Sequence, residues 1–566
     1  MNKLRWQILI VVLALVAIAI LLLGQQPILR AFVAEPAVGG IYIEGLVGNL
    51  NRLNPLLDYA NPADQDIDRL IFSGLVRFDD RGNPIPDLAQ EWGVSIDGLS
   101  YNFTLRSDAL WHDGEPVTSA DFVFTTTLLR HADMPVPEDI RALWETVDVI
   151  AFDATHLQFN LPEPFAPFMD YLTFGVLPEH LLGERHPLEL VNAPFNLAPV
   201  GTGPYRFEEV IAENEQITGV VLNAFEAYYN DRPFIDQIIF RFYQSSGEAY
   251  QAYLQGDVLG ISQVSPELLP TVLEDRTLNL YSARLPKLSI ILLNLNNTLV
   301  PFFGELEVRQ ALMHGINRQW LVDAYLDGQA IVADGPILPG TWAYNENMVS
   351  IPFDTDQAIR FLKDAGYTVP AEGGGVRSRD GISLSFELVH PDTEVHTLMA
   401  QSIQSDWAKL GISIRLLAVD YETLVADYLE PRNYQAVLVD LNLARSPDPD
   451  PYPFWHQAEA SGGQNYSRWD DRRASEYLEQ ARVSISQSQR ERLYRNFQTH
   501  FNREIPALPL FYPIYNYAVS AQVQGVQMAP LFQSSDRLAS VTQWFLVARS
   551  NLEEAPAVIS TAGSTP

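Results

Sequence analysis

The sequence predicts an α/β protein of more than one lobe, and three observations carry that expectation. Its 566 residues exceed what one hydrophobic core ordinarily serves. Hydrophobic residues make up 47% and charged ones 19%, which is a globular composition rather than a disordered one. From about residue 354 to 442, helical and strand patterns alternate, which implies helices laid on a sheet.

The elements follow in order. "WQILIVVLALVAIAILLLGQQPIL", Trp6 to Leu29, carries no charge and is flanked by Lys3, Arg5 and Arg30. Its apolar part, Ile8 to Leu23, is at the short end for a spanning helix, and Trp6 suits the interface. The following residues offer no clean pair of small residues for cleavage, because Phe32 disrupts the candidate ending at Ala34. Residues 1–39 are therefore expected to be an uncleaved anchor and tether in preference to a cleaved signal peptide, and on either reading the remainder is exported to the extracytoplasmic face. "GIYIEGL" then reads as a strand, and "ADQDIDRLIFSGLVRFDDRGNP" as a helix, a strand and a turn at Gly82 and Asn83. "YNFTLRSDAL" and "THLQFNLPEP" alternate as half-buried strands. Between them, Thr118 and Asp121 stand at capping-box spacing before an apolar-faced helix. "FIDQIIFRFY" is a strand and "GEAYQAYLQGD" a helix stopped at Gly256. "LSIILLNLNN" is nearly continuous apolar strand, expected where a sheet is covered on both faces. "ELEVRQALMHGINRQWLVDAYLDG" reads as one long helix. Helices stopped at Gly366 and Gly411 then alternate with "SLSFELVHP", "ISIRLLAVD" and "YQAVLVDLNL".

Several function classes are excluded or unsupported. The chain has no cysteine, hence no disulfide, thiol nucleophile, thiolate metal site or lipidated cysteine. Its net charge of −33 argues against a nucleic-acid partner. There is no G-x-S-x-G, H-E-x-x-H, Walker loop or G-x-G-x-x-G, so no enzyme is expected and no cofactor is called for. The ten histidines are scattered, none beside a second histidine and a carboxylate at ligand spacing, so no metal site is expected. His112 and Asp113 with Gly114 read as a turn. "GTGPYRF", Gly201 to Phe207, reads as a tight turn into a strand, whereas a phosphate cradle would need a helix there.

One stretch looks built to hold a ligand: "SPDPDPYPFWHQAEASGGQNYS", Ser446 to Ser467. It follows the strand "YQAVLVDLNL", and open α/β sheets bind ligands beyond the carboxyl ends of their strands. The prolines are expected to hold Pro447 to Pro453 extended. Asp448 and Asp450 supply charge, Trp455, His456 and Tyr466 supply rings, and Asn465 supplies an amide. Phe454 is expected to pin the loop to the core, while Trp455 suits pocket and core equally.

Together, "LIFSGLVRFDDRGNPIPDLAQEWGVSIDGLSYNFTLRSDALWHDGEPVTSADFVFT", "GTGPYRF", "LNLNNTLVPFFGELEVRQALMHGINRQWLV", "AIRFLKDAGY", "DWAKLGISIRL" and "DPDPYPFW…NYS" resemble, in order and spacing, the family 5 extracellular solute-binding proteins of ABC importers, the oligopeptide, dipeptide and nickel group. The resemblance implies a bilobed periplasmic-binding-protein-like fold with a hinge. Lobe I would span residues 40–287, with an inserted subdomain at about 75–185, and be rejoined by 504–550. Lobe II would span 288–503, with 551–566 a disordered tail. It further implies a monomer that closes on a small ligand, such as a peptide, and presents it to permease subunits. In peptide-binding members an aspartate of the Ser446–Ser467 region pairs with the ligand's amine. Aligning on Asp450 places Pro447 at that position and aligning on Asp448 places Arg445 there, so Asp448 and Asp450 are the candidates to replace it. A sensor or chaperone on the same fold, and an exported hydrolase, are the alternatives.

Overall fold

A computed structural model describes residues 36–369, 375–443 and 447–547. The N-terminal segment expected to anchor the chain, the C-terminal tail and Arg445 lie outside the described residues. Among the described residues no helix is long and apolar enough to cross a membrane.

One sheet of twelve strands runs through both lobes. Its strands are β1 (Ile41–Val47), β2 (Tyr205–Glu213), β3 (Gln216–Ala224), β4 (Gln237–Tyr243), β5 (Gly260–Ile261) and β6 (Leu278–Arg284) in the first lobe. In the second are β7 (Lys287–Leu293), β8 (Ala330–Val332), β9 (Ser385–Pro391), β10 (Ser413–Val419) and β11 (Ala436–Asn442). The last strand, β12 (Ala507–Ser520), belongs to both. The order is β10-β9-β11-β7-β12-β5-β1-β4-β3-β2, with β6 and β8 also paired to β12. Residues 507–511 of β12 pair with β7, and residues 514–520 pair with β6. Only Leu285 and Pro286 separate β6 from β7, and the Leu285 amide donates to Pro513 at 2.9 Å. Two adjacent strands thus form the waist between the lobes.

Burial explains why β7 lacks the usual alternation. Ile291 and Leu293 pack into one core of the second lobe, and Leu288, Ile290 and Leu292 into another on the opposite face. Side chains of a strand point alternately to its two faces, so a sheet covered on both sides needs apolar residues at every position. In β11, Ala436 and Leu438 divide from Val437 and Val439 in the same way. The first lobe has a separate core that includes Tyr42, Leu70, Phe240 and the returning Tyr515, Tyr517 and Trp544. A four-stranded antiparallel sheet, Ala89–Val94, Ser100–Leu105, His156–Asn160 and Asp148–Asp153, extends this lobe. Beside it Trp144 meets Phe159, Phe168 and Phe174 with ring centroids 5.5–6.0 Å apart.

Local chemistry sets most boundaries. In helix α1 (Pro62–Ile71), Asn61 caps the Ala63 amide and proline occupies the first turn, where no amide is needed. Helix α2 (Ser119–Leu129) carries the Thr118–Asp121 capping box. Gly256, Gly366 and Gly411 take left-handed φ of 86°, 85° and 81° where helices end. The expected long helix after residue 304 is instead two, Leu306–His314 and Arg318–Tyr325. Gly315 ends the first, and Asn317 caps the second by accepting from the Trp320 amide at 3.1 Å. A glycine and a side-chain cap side by side outweigh a continuous apolar pattern.

"GTGPYRF" is the expected turn into β2. A Cβ on Gly201 would lie 2.0 Å from the Ile71 carbonyl oxygen, and Thr202 Oγ1 accepts from the Ser73 amide at 3.2 Å. His112 is bound here too, 3.0 Å from the Gly203 carbonyl, and burial lowers its pKa to about 4. These glycines serve close backbone packing.

Candidate functional site

Beyond β11 the described chain resumes at Pro447, which lies against Gly82 of the first lobe. Here the structure departs from an extended proline run. Tyr452–Trp455 forms one turn of helix, with Pro451 at φ −74° and ψ 2° before it. Pro453 sits in the first turn, where proline neither clashes nor lacks a needed partner, so the prolines start a helix rather than prevent one.

The Asp448 amide donates to Asp170 Oδ2 of the first lobe at 2.9 Å. Both residues are buried. Gly82 of the first lobe, at φ 80°, approaches Pro447 so closely that a Cβ would stand 2.7 Å from the proline's. The Gln487 amide group reaches Asn83 Oδ1 at 3.2 Å, and Arg482 lies 5.4 Å above the Phe165 ring. The loop is therefore a junction between lobes.

Its two aspartates are held by arginines of helices α3 (Arg472–Val483) and α4 (Gln487–Glu504). Arg490 pairs with Asp448 and also donates to Tyr494 Oη at 3.2 Å. Burial raises the Asp448 pKa, although the Arg490 charge opposes this. For Arg490, burial lowers the pKa but the Asp448 charge outweighs it, so the net shift is upward. Arg482 grips Asp450 through Nε at 3.0 Å and Nη2 at 2.7 Å, the two-pronged geometry that suits guanidinium to carboxylate. The Tyr452 ring lies 3.8 Å from the same guanidinium. Tyr171 of the first lobe is pushed up to about 12, first by burial and then by the Asp450 charge.

The other expected site residues are placed differently. Trp455 is 2% exposed and meets Phe501 edge-on at 4.7 Å, whereas Phe454 is only partly buried, so the tryptophan is the pin. His456 stacks on Tyr452 at 3.9 Å and bonds to Glu479 at 3.0 Å. Asn465 is fully buried, donating to the His456 and Trp469 carbonyls at 3.1 and 2.9 Å and accepting from the Trp469 amide. It ties the two arms of the loop together. Tyr466 is partly buried, with the Arg432 guanidinium 5.3 Å from its ring.

Asp170, Arg482, Arg490 and Tyr494 were not singled out from sequence. Arg482 lies 32 residues beyond Asp450 and Arg490 lies 42 beyond Asp448, so no local motif links them. A surface groove of about 710 Å³ lies elsewhere, along β2–β4; within it Arg232 bonds to Glu226 and Asp236 at 2.7 Å.

A profile described as "Bacterial extracellular solute-binding proteins, family 5 Middle" matches residues 83–464. Oligopeptide-binding protein AppA of Bacillus subtilis (strain 168) is 24% identical over 524 residues, covering 90% of this chain and 92% of its own. The nickel-binding periplasmic protein of Escherichia coli (strain K12) is 27% identical over 505 residues, covering 85% and 91%. Among solved structures, HbpA2 from Haemophilus parasuis superposes with a TM-score of 0.77 at 22% identity, covering 90% of this chain and all of that one. With the profile spanning most of both lobes and the same bilobed fold in a solved structure, the chain belongs to the family 5 bacterial extracellular solute-binding proteins.

Proposed function

We propose that this protein is the extracytoplasmic receptor of an ABC importer, that it binds a short peptide between its lobes, and that it closes about the waist to present the peptide to the permease. The observation that carries the reading is the contact of the Asp448 amide with Asp170 across the lobes. A loop that touches both lobes stabilises one relative position of them, and a ligand shifts that balance only through contacts that differ between positions. Two adjacent strands at the waist are a small connection over which such a rotation can be taken up.

In this reading Asp448 and Asp450 are the loop's polar response to ligand, while Trp455, His456, Asn465 and Tyr466 hold the loop in shape. A peptide ammonium would share Asp448 or Asp450 with its arginine. Peptide is preferred as ligand class because AppA, which aligns over 90% of this chain, is named for oligopeptides. Residues 1–39 would hold a monomeric receptor at the extracytoplasmic face of the cell membrane, beside its permease.

Native mass spectrometry of gently purified residues 36–566 tests the ligand. A ladder of co-purifying peptide masses is expected. A single non-peptide mass would keep the receptor and discard the peptide, and turnover of a substrate would discard the receptor.

A further inference from the structure

The fold brings together three side chains that the sequence keeps apart. His131 and Asp133 follow the end of α2, and His186 caps the short helix Pro187–Leu190. Asp133 Oδ2 lies 3.8 Å from His131 Nδ1 and 3.9 Å from His186 Nε2. One donor atom from each residue falls within 4.8 Å of the others. The two imidazoles meet edge to face at 84° with centroids 5.8 Å apart, so they do not stack. Both segments are anchored, since Met134 on one side and Leu182 and Leu190 on the other are buried in the core of the first lobe.

We infer that His131, Asp133 and His186 form a binding site for one divalent transition-metal ion of the zinc type, separate from the junction between the lobes. Two imidazoles and one carboxylate favour zinc, nickel or copper over magnesium or calcium, which take oxygen ligands. Bonds of ~2.0–2.2 Å place tetrahedral donors about 3.4 Å apart. The observed 3.8 and 3.9 Å, and the third separation of at most 4.8 Å, would have to shorten to that value by side-chain rotation. Of the arginines around the site, Arg141 is engaged by Glu138 and by the Met134 and Val136 carbonyls at 2.9–3.2 Å and Arg130 Nε by the Thr126 carbonyl at 3.3 Å, while Arg185 directly precedes His186.

Binding has a local cost. His131 Nδ1 accepts the Asp133 amide at 3.2 Å, and His186 Nδ1 accepts the Leu188 amide at 3.3 Å. An ion on His131 Nδ1 takes that lone pair, and one on His186 Nε2 moves the ring proton to Nδ1. Both long bonds are then released, and their amides turn to water. Side-chain exposures of 38, 43 and 53% leave the remaining coordination positions open to solvent. Such a three-ligand site holds its ion less tightly than a closed structural one. Because the ligands must be unprotonated, occupancy falls in acid.

The test is isothermal titration of zinc chloride into untagged, EDTA-treated residues 36–566. One equivalent per chain is expected. His186→Gln should weaken binding by at least the ~10–100-fold that loss of even an outer-shell partner costs. His156→Gln, which changes another exposed histidine beside an aspartate, should leave it unaltered. No saturable heat, or equal binding by the His186 variant, would overturn the assignment. A peptide-free protein would leave it standing, so it fails or holds independently of the proposed function.

Discussion

Two buried clusters of carboxylates and arginines use the same chemistry at different places in the molecule. In the first lobe, fully buried Arg537 donates to Glu44 Oε1 at 2.8 Å and to Asp66 Oδ1 at 2.5 Å, while Tyr517 donates to Glu44 Oε2 at 2.8 Å. This cluster fastens β1 and α1 to the last part of the chain and lies within one core. At the junction, Asp448 and Asp450 meet Arg490 and Arg482 within the second lobe but reach the first through Asp170 and Phe165. A charged cluster inside one lobe can only be made or broken with folding. One that spans lobes can also report their relative position. A third group sharpens the contrast: on α1, Asp68 is 3% exposed and, among the described residues, meets no arginine or lysine, only the Asn54 amide.

The largest effect is expected from Arg537→Met, which leaves Glu44 and Asp66 buried without their cation. Breaking a buried pair from one side costs about 3–5 kcal/mol, and thermal unfolding would read it. Asp448→Asn should cost less, about 1.5–3 kcal/mol for a lost hydrogen bond to a charged group. If the two losses were equal, the junction would be as purely structural as the first-lobe cluster. Asp68→Asn is expected to stabilise by about 1–3 kcal/mol at alkaline pH, where ionising the buried carboxyl is costly.

That gain should depend on pH. Burial, followed by the Asp64 charge, raises Asp58 to about 8, and burial, followed by the charges of Asp58 and Asp64, raises Asp68 as well. The facing groups that oppose this are the Asn54 amide at Asp68 and, at Asp64, the Asn51 and Arg52 amides, the Asn61 side chain and the Arg52 charge. An acid whose pKa is raised by folding stabilises fully below its unfolded value, and the contribution is lost as pH rises through the folded value. The parent protein should therefore lose stability from about pH 4 to about pH 8, and Asp68→Asn should flatten that slope. A parallel slope in the variant would remove Asp68 as its source. The smallest effect on stability belongs to Gly82→Ala, about 1–2 kcal/mol for a left-handed non-glycine residue. Its Cβ would meet Pro447 only when the lobes are together, so ligand affinity should fall more than stability.

Much of the fold was legible because it is set locally. The capping box at Thr118, the glycine stops at Gly256, Gly366 and Gly411, and the unbroken apolar run of β7 each state their own structure. Where two local signals compete, as at Gly315 and Asn317, periodicity alone misleads. The candidate site was less legible. The loop could be picked out by its prolines and rings, but its arginine partners lie 32 and 42 residues away on other elements. Likewise, His186 reaches Asp133 only through the packing of the first lobe. Whether a tryptophan such as Trp455 lines a pocket or a core depends on what faces it, which short-range pattern does not contain.

The measurement that bears most directly on the account is the distance between the lobes. The absence of cysteine allows clean labelling, and Glu145 and Ser488 are exposed on opposite sides of the junction. Spin labels at Glu145→Cys and Ser488→Cys, read by pulsed electron resonance, should give a broad, longer distribution without ligand. With short synthetic peptides, one narrow and shorter distance is expected. The same distribution under both conditions would contradict closure on a peptide.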